Sequence, residues 1–86
     1  RLTFLIDRNG KKYIIDEILS ELEQELDKSK FYRANRQYII NIDFIRGYKT
    51  IEKVKIAVDM STEADKFPIH ISQDSAAGFR EWIARV

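Results

Sequence analysis

The sequence predicts a mostly β domain of the α+β class, with small antiparallel sheets and two short helices. Three observations predict this class. Short apolar runs alternate with polar residues at a period of two. An Asn9-Gly10 pair separates the first two of these runs, and only two segments have helical spacing. Because 86 residues suffice for one hydrophobic core, we expect a single domain over residues 1–86.

The first elements are a hairpin and a helix. Apolar residues at 2, 4 and 6 predict a strand, and Lys12–Ile15 predicts its partner. Asn9-Gly10 predicts a two-residue type I′ turn, because that turn needs positive φ at both central positions. Asp16 is a candidate N-cap for the helix that follows. The helix has one apolar stripe, made of Ile18, Leu19, Leu22 and Leu26.

The segment from Phe31 to Asn41 is the most informative in the chain. It begins as a strand, in which Tyr32 and Ala34 oppose Arg33 and Asn35. It then turns through a polar corner, residues 35–37, whose sequence is Asn-Arg-Gln. These amide and guanidinium side chains are the types best suited to hydrogen-bonding base edges. Tyr38-Ile39-Ile40 resumes the apolar pattern.

The second half predicts more strands and a final helix. Strands are expected near 46–50 and 53–58, the latter half-buried, with a polar loop over 59–66. Phe67, Ile69 and Ile71 alternate in a third strand, which Pro68 should confine to a sheet edge. Ser72 or Asp74 should cap the last helix. Its apolar face consists of Phe79, Trp82, Ile83 and Val86.

Composition excludes several classes of protein. The chain has no cysteine and one histidine, which argues against a disulfide framework and a zinc site, and no cofactor is implied. No apolar run approaches the ~20 residues of a membrane helix, and no signal peptide is visible, so we expect a cytoplasmic location without membrane contact. His70, Ser72 and Asp74 lie close in sequence, but no oxyanion device accompanies them, so we predict no enzyme.

Charge is unevenly distributed around a net value of +1. Residues 16–30 carry six acids and two bases, whereas residues 31–56 carry six bases and two acids. Two interpretations stay open. The first is that the charges are ordinary solvated groups, and the second is that the basic middle forms one positive face that attracts nucleic acid.

The Phe31–Asn41 pattern resembles the signature of the LytTR family, approximately Phe-x-Arg-x-His/Asn-Arg-Ser/Gln-Tyr/Phe-Ile-Val-Asn. The Asn-Gly hairpin, the acidic helix and the final Ile-x-Ile-Ser before a helix occur in the family's order. The resemblance implies a transcription-regulating output domain of a two-component response regulator. Such domains use loops, without a recognition helix, to enter successive major grooves of bent DNA.

The resemblance also implies partners: double-stranded DNA with promoter direct repeats, an upstream receiver domain, and a possible homodimer on DNA. We expect Arg36 to contact a guanine edge, with phosphate contact as its alternative, and Asn35, Arg36 and Lys66 to share one exposed face. The expected DNA-binding residues are Arg1, Arg33, Asn35, Arg36, Gln37, Lys66, Ser72, Gln73 and Asp74.

Two departures from the family pattern affect these expectations. The family has two further strands before the position of Arg1, and a DNA-contacting loop lies about there. The family often places arginine after the serine equivalent to Ser72, where this chain has Gln73-Asp74. Asp74 is therefore open to three roles: helix cap, source of repulsion towards phosphate, or acceptor from cytosine N4.

A second function of a different class is a protein-interaction or dimerisation module. An unpaired sheet edge, either the strand over residues 2–6 or the edge at Pro68, would add a partner's strand. Strand addition should depend little on salt, whereas DNA binding should weaken steeply as salt rises.

Overall fold

The computed structural model describes residues 3–7, 9, 11–51, 55–60 and 68–85. These residues form seven strands and two helices, as the sequence predicts. The strands are β1 Thr3–Ile6, β2 Lys12–Ile15, β3 Phe31–Arg33, β4 Ile39–Asn41, β5 Ile45–Ile51, β6 Lys55–Met60 and β7 Ile69–Ile71. The helices are α1 Leu19–Glu25 and α2 Ala76–Arg85, with 3₁₀ turns at Ile42–Phe44 and Gln73–Ser75.

Three small antiparallel sheets contain all seven strands. β1 pairs with β2, β3 pairs with β4, and the third sheet has the order β5-β6-β7. β7 is therefore an edge strand, as Pro68 predicted. β6 is the central strand, and its residues Ile56, Ala57 and Val58 are all buried. The expectation of a half-buried strand is wrong there, because side chains on both faces of β6 are covered.

The loop between β1 and β2 is longer than predicted. Ile6 pairs with Lys12, and the Asp7 N–H donates to the Lys11 carbonyl, so three positions separate Asp7 from Lys11. The Asp7 carboxylate accepts hydrogen bonds from the N–H groups of Asn9 and Lys11, at 2.9 and 3.0 Å. These bonds lower the pKa of Asp7, and the bond from the Lys11 N–H has the largest effect. The two-residue turn prediction is wrong because this carboxylate closes a wider loop.

The predicted cap of the first helix is also wrong. α1 starts at Leu19 and its N-cap is Ile18, which contributes no side-chain hydrogen bond. Asp16 lies two residues too early to serve as the cap. The neighbouring Glu17 interacts instead with Glu25 through a side-chain hydrogen bond, which raises the pKa of Glu17.

The core lies between the third sheet and α2. Phe79 is fully buried, and Trp82 and Ala76 lie beside it on the same helix face. The Trp82 ring stacks on Tyr32, with ring centroids 5.2 Å apart, and its indole N–H donates to the Lys28 carbonyl at 2.9 Å. The predicted apolar face of the last helix is thus confirmed at Phe79 and Trp82. This packing fixes β3, and with it the start of the polar corner.

Gly78 lets α2 approach Tyr32 closely. A Cβ atom at position 78 would lie 2.5 Å from the Tyr32 hydroxyl oxygen, which donates to the Ser75 carbonyl at 2.7 Å. Overpacking costs about 1–3 kcal/mol, whereas alanine for glycine in a helix gains about 1 kcal/mol. We therefore expect Gly78→Ala to lower the free energy of unfolding by about 1 kcal/mol in urea titrations.

The sign of this effect should reverse when the hydroxyl is removed. In a Tyr32→Phe background, the nearest ring carbon is 3.5 Å from the added Cβ, an ordinary contact. Gly78→Ala should then stabilise the protein through helix propensity alone. The same destabilisation in both backgrounds would contradict the packing explanation.

Candidate nucleic-acid interface

Arg33 fixes the backbone of the polar corner through hydrogen bonds to its carbonyl groups. Its Nε donates to the Asn35 carbonyl at 2.7 Å, and its Nη2 donates to the Arg36 carbonyl at 3.2 Å. Its Nη1 forms an ion pair with Glu23 of α1 at 3.1 Å, and its side chain is only 25% exposed. One guanidinium therefore joins two successive corner carbonyls to the first helix. Arg33 acts as a structural clamp, and its expected contact with DNA stays a prediction.

Asn35 shapes the corner with its own amide. Its Oδ1 accepts hydrogen bonds from the N–H groups of Gln37 and Tyr38, at 2.7 and 3.1 Å. Asparagine commonly organises turns in this way, by bonding the backbone two residues ahead. Its Nδ2 donates to the His70 carbonyl at 2.6 Å. The amide is thus engaged within the protein, which removes most of its capacity to bind a base.

A second segment is attached to the corner at the end of β7. The Ser72 N–H donates to the Ala34 carbonyl at 3.0 Å, beside the bond between Asn35 and His70. Ala34 is fully buried, so the attachment point is covered by the core. The 3₁₀ turn Gln73–Ser75 begins immediately after Ser72. The two predicted contact segments, 35–37 and 72–74, therefore lie side by side although they are far apart in sequence.

Arg36 and Gln37 remain available at the tip of the corner. Both side chains are exposed, and neither forms a hydrogen bond or ion pair with another residue that the structure describes. The neighbouring Tyr38 is 43% exposed. The backbone beneath Arg36 is fixed by Arg33, while its long cationic side chain is free. The fixed backbone defines where the Arg36 guanidinium can reach, and its N–H donors are available to another molecule.

The second segment differs from its predicted form. α2 begins at Ala76, and Asp74 lies inside the preceding 3₁₀ turn, where its side chain is exposed. Ser72 is the N-cap of that turn, but its side chain makes no capping hydrogen bond. Capping of the last helix by Ser72 or Asp74 is therefore wrong, because the intervening turn separates both residues from the first turn of α2.

Charge around the corner is mixed. Glu23 forms an ion pair with Arg33, so the acidic segment 16–30 and the basic segment 31–56 are in direct contact beside the corner. A groove of about 1110 Å³ runs beside the corner, and apolar residues of the first hairpin and α1, including Ile6, Ile18 and Leu19, line its other side. The expected positive face is thus interrupted near α1. Arg1 and Lys66 lie outside the described residues.

Comparison with protein families decides the identity of the domain. The model of the family described as LytTr DNA-binding domain matches residues 3–84, which is essentially the whole chain. The chain belongs to the LytTR family. A search of curated proteins and a search of solved structures returned no match.

Membership of the LytTR family supports DNA binding and a broad role in transcription regulation. LytTR is a family of DNA-binding domains and not of enzymes. Within the described ranges, no helix of this LytTR domain is long and apolar enough to cross a membrane.

Sequence reasoning missed the scaffold that positions the corner. Two contacts were not expected: that of Glu23 with Arg33, which holds the corner backbone, and that of the His70 carbonyl with the Asn35 side chain. Strand alternation placed Arg33 on the face opposite the half-buried Tyr32 and the buried Ala34, but it did not indicate which groups Arg33 binds. No pattern in the sequence marked the His70 carbonyl, because that contact depends on β7 lying next to the corner.

Proposed function

We propose that this LytTR domain binds double-stranded DNA at specific sequences by placing the corner, residues 35–37, in the major groove. The observation that carries the proposal is the exposed Arg36 side chain on a backbone held by Arg33. Arginine pairs with O6 and N7 of guanine through two hydrogen bonds, and glutamine pairs similarly with adenine. Arg36 and Gln37 are therefore our candidates for base contacts.

The remaining candidate residues fall into two groups, those whose polar groups are engaged within the protein and those that are exposed to a ligand. Arg33 and Asn35 support the tip, because their polar groups are engaged within the corner. Gln73 and Asp74 are exposed on the adjacent segment and face the same ligand in this proposal. For Asp74, acceptance from cytosine N4 or repulsion of phosphate remains after the capping role is removed.

The biological setting follows from the family. We propose that the domain regulates transcription as the output of a response regulator in the cytoplasm, with an upstream receiver domain and promoter direct repeats. The alternative function is that of a protein-interaction module, and a separate observation supports it. The first hairpin exposes large apolar side chains, among them Phe4, Leu5 and Ile14. The two functions involve different parts of the molecule and do not exclude each other.

Selection from a library of randomised DNA duplexes tests the proposed function. We expect one sequence class to be enriched, and affinity for that duplex to fall linearly with salt on logarithmic axes. The slope should be about −0.9 for each phosphate contacted, because binding releases condensed counterions. A scrambled duplex of equal length is the control. Failure to enrich any sequence would contradict specific recognition, and so would equal affinity for an enriched duplex and its scrambled control.

A further inference from the structure

The outer edge of β2 carries unused backbone groups. β2 pairs with β1 alone, and no other described strand lies beside it. The bond from the Asp7 N–H to the Lys11 carbonyl shows that position 11 directs its backbone towards β1. Because backbone groups alternate along a strand, Tyr13 and Ile15 also face β1, while Lys12 and Ile14 face outward. An edge of this kind is a template for another strand.

The side chains along this edge are exposed and apolar at the centre. Ile14 is 67% exposed, and Phe4, its directly paired neighbour on β1, is 47% exposed. On the other face, Leu5 and Tyr13 are paired and are 54% and 41% exposed. The hairpin therefore presents apolar surface on both faces, which in a water-soluble domain indicates a binding surface.

The charges along the same segment change sign at Ile14, because the lysines precede it and the acidic residues follow it. Residues 11–17 are Lys-Lys-Tyr-Ile-Ile-Asp-Glu. In an antiparallel pair with Ile14 opposite Ile14 of a second copy, Lys12 lies opposite Asp16 and Lys11 opposite Glu17. A shift that centres the pair on Tyr13 or Ile15 places no lysine opposite an acid. The register that satisfies the charges also joins the outward backbone groups of Ile14 directly.

We propose that two copies of this chain associate through their β2 edges in this register. The product is a continuous sheet with the order β1-β2-β2-β1, and one row across it reads Phe4, Ile14, Ile14, Phe4. The β1 strand, Thr3–Ile6, carries no charge within its own length, whereas β2 begins with Lys12. The pairing concerns the chain free of DNA and uses none of residues 33–38.

Charge reversal and restoration test this register. Sedimentation velocity of the DNA-free chain over a range of concentrations should show a reversible monomer–dimer equilibrium. Lys12→Asp places an aspartate opposite Asp16 of the second copy, at two symmetric positions in the dimer, and should raise the dissociation constant about tenfold. Lys12→Asp with Asp16→Lys should restore it. Lys49→Asp, at an exposed position on β5, is the control and should change nothing.

A backbone variant separates the edge from its charges. Ile14→Pro removes an N–H that faces outward, so the pairing of β1 with β2 should survive, as circular dichroism would check. This variant should be monomeric. Ile14→Thr keeps the N–H, so it should still dimerise, with a higher dissociation constant than the wild-type chain. A monomeric wild-type chain at all concentrations overturns the proposal. So does a dimer that Lys12→Asp leaves intact or that the double variant fails to restore.

Discussion

Replacing Asn35 with alanine is expected to weaken specific DNA binding about tenfold or more, although its amide is engaged within the protein. The change removes the acceptor for the N–H groups of Gln37 and Tyr38 and the donor to the His70 carbonyl. The corner would lose both its turn and its attachment to β7. Arg36 would keep its chemistry but lose its position, and small displacements of a recognition group are costly.

The same variant should also be less stable. Three hydrogen bonds of about 0.5–1.5 kcal/mol each are removed, so we expect a loss of about 1.5–4.5 kcal/mol in the free energy of unfolding. Asn35→Asp is the comparison variant, since it keeps the acceptor for the turn while it loses the donor and adds a negative charge. Binding isotherms and urea titrations on both variants separate the two contributions. Unchanged affinity in Asn35→Ala would exclude the corner as a positioned recognition element.

Arg36→Ala is expected to reduce the preference for the selected duplex over a scrambled one. The loss of a bidentate base contact costs about 1–3 kcal/mol, or about 5- to 140-fold in affinity. Because Arg36 forms no side-chain bond within the described structure, the stability of the domain should not change. Competition titrations give the preference directly.

Arg46→Ala is the matched control for that experiment. Arg46 is also an exposed arginine, but it lies on β5 and outside the corner. Its removal should weaken binding to both duplexes equally, or not at all, and so leave the preference intact. If Arg36→Ala behaves in the same way, Arg36 contacts phosphate and not a base edge.

The sequence was sufficient to predict the approximate strand positions and the location of the corner, but the loop expected over 59–66 begins too early, because β6 runs to Met60 and pairs with β5 there. Alternation of apolar residues reports which side chains are covered, and this held for Ile69 and Ile71 in β7. It also placed Phe79 and Trp82 in the core. These features are local consequences of burial at a fixed period, so one segment at a time is enough to find them.

The roles of the corner residues could not be predicted in the same way. Arg33 and Asn35 have the chemistry of base-contacting residues, but each also binds a group from another segment, the Glu23 carboxylate for Arg33 and the His70 carbonyl for Asn35. Local rules also failed where a nearby group competed. The Asp7 carboxylate replaced the Asn-Gly turn, and a 3₁₀ turn displaced Asp74 from the helix start. Each failure involves a contact that composition and spacing do not encode.

We propose that Arg36 contacts the edge of one guanine. Duplexes carrying 7-deazaguanine at one position at a time lack a single N7 acceptor and test this contact directly. At one position, the substitution should weaken wild-type binding several-fold and leave Arg36→Ala binding unchanged, because the variant has no guanidinium there to lose the bond. Equal losses for the wild type and the variant at every position would contradict the claim.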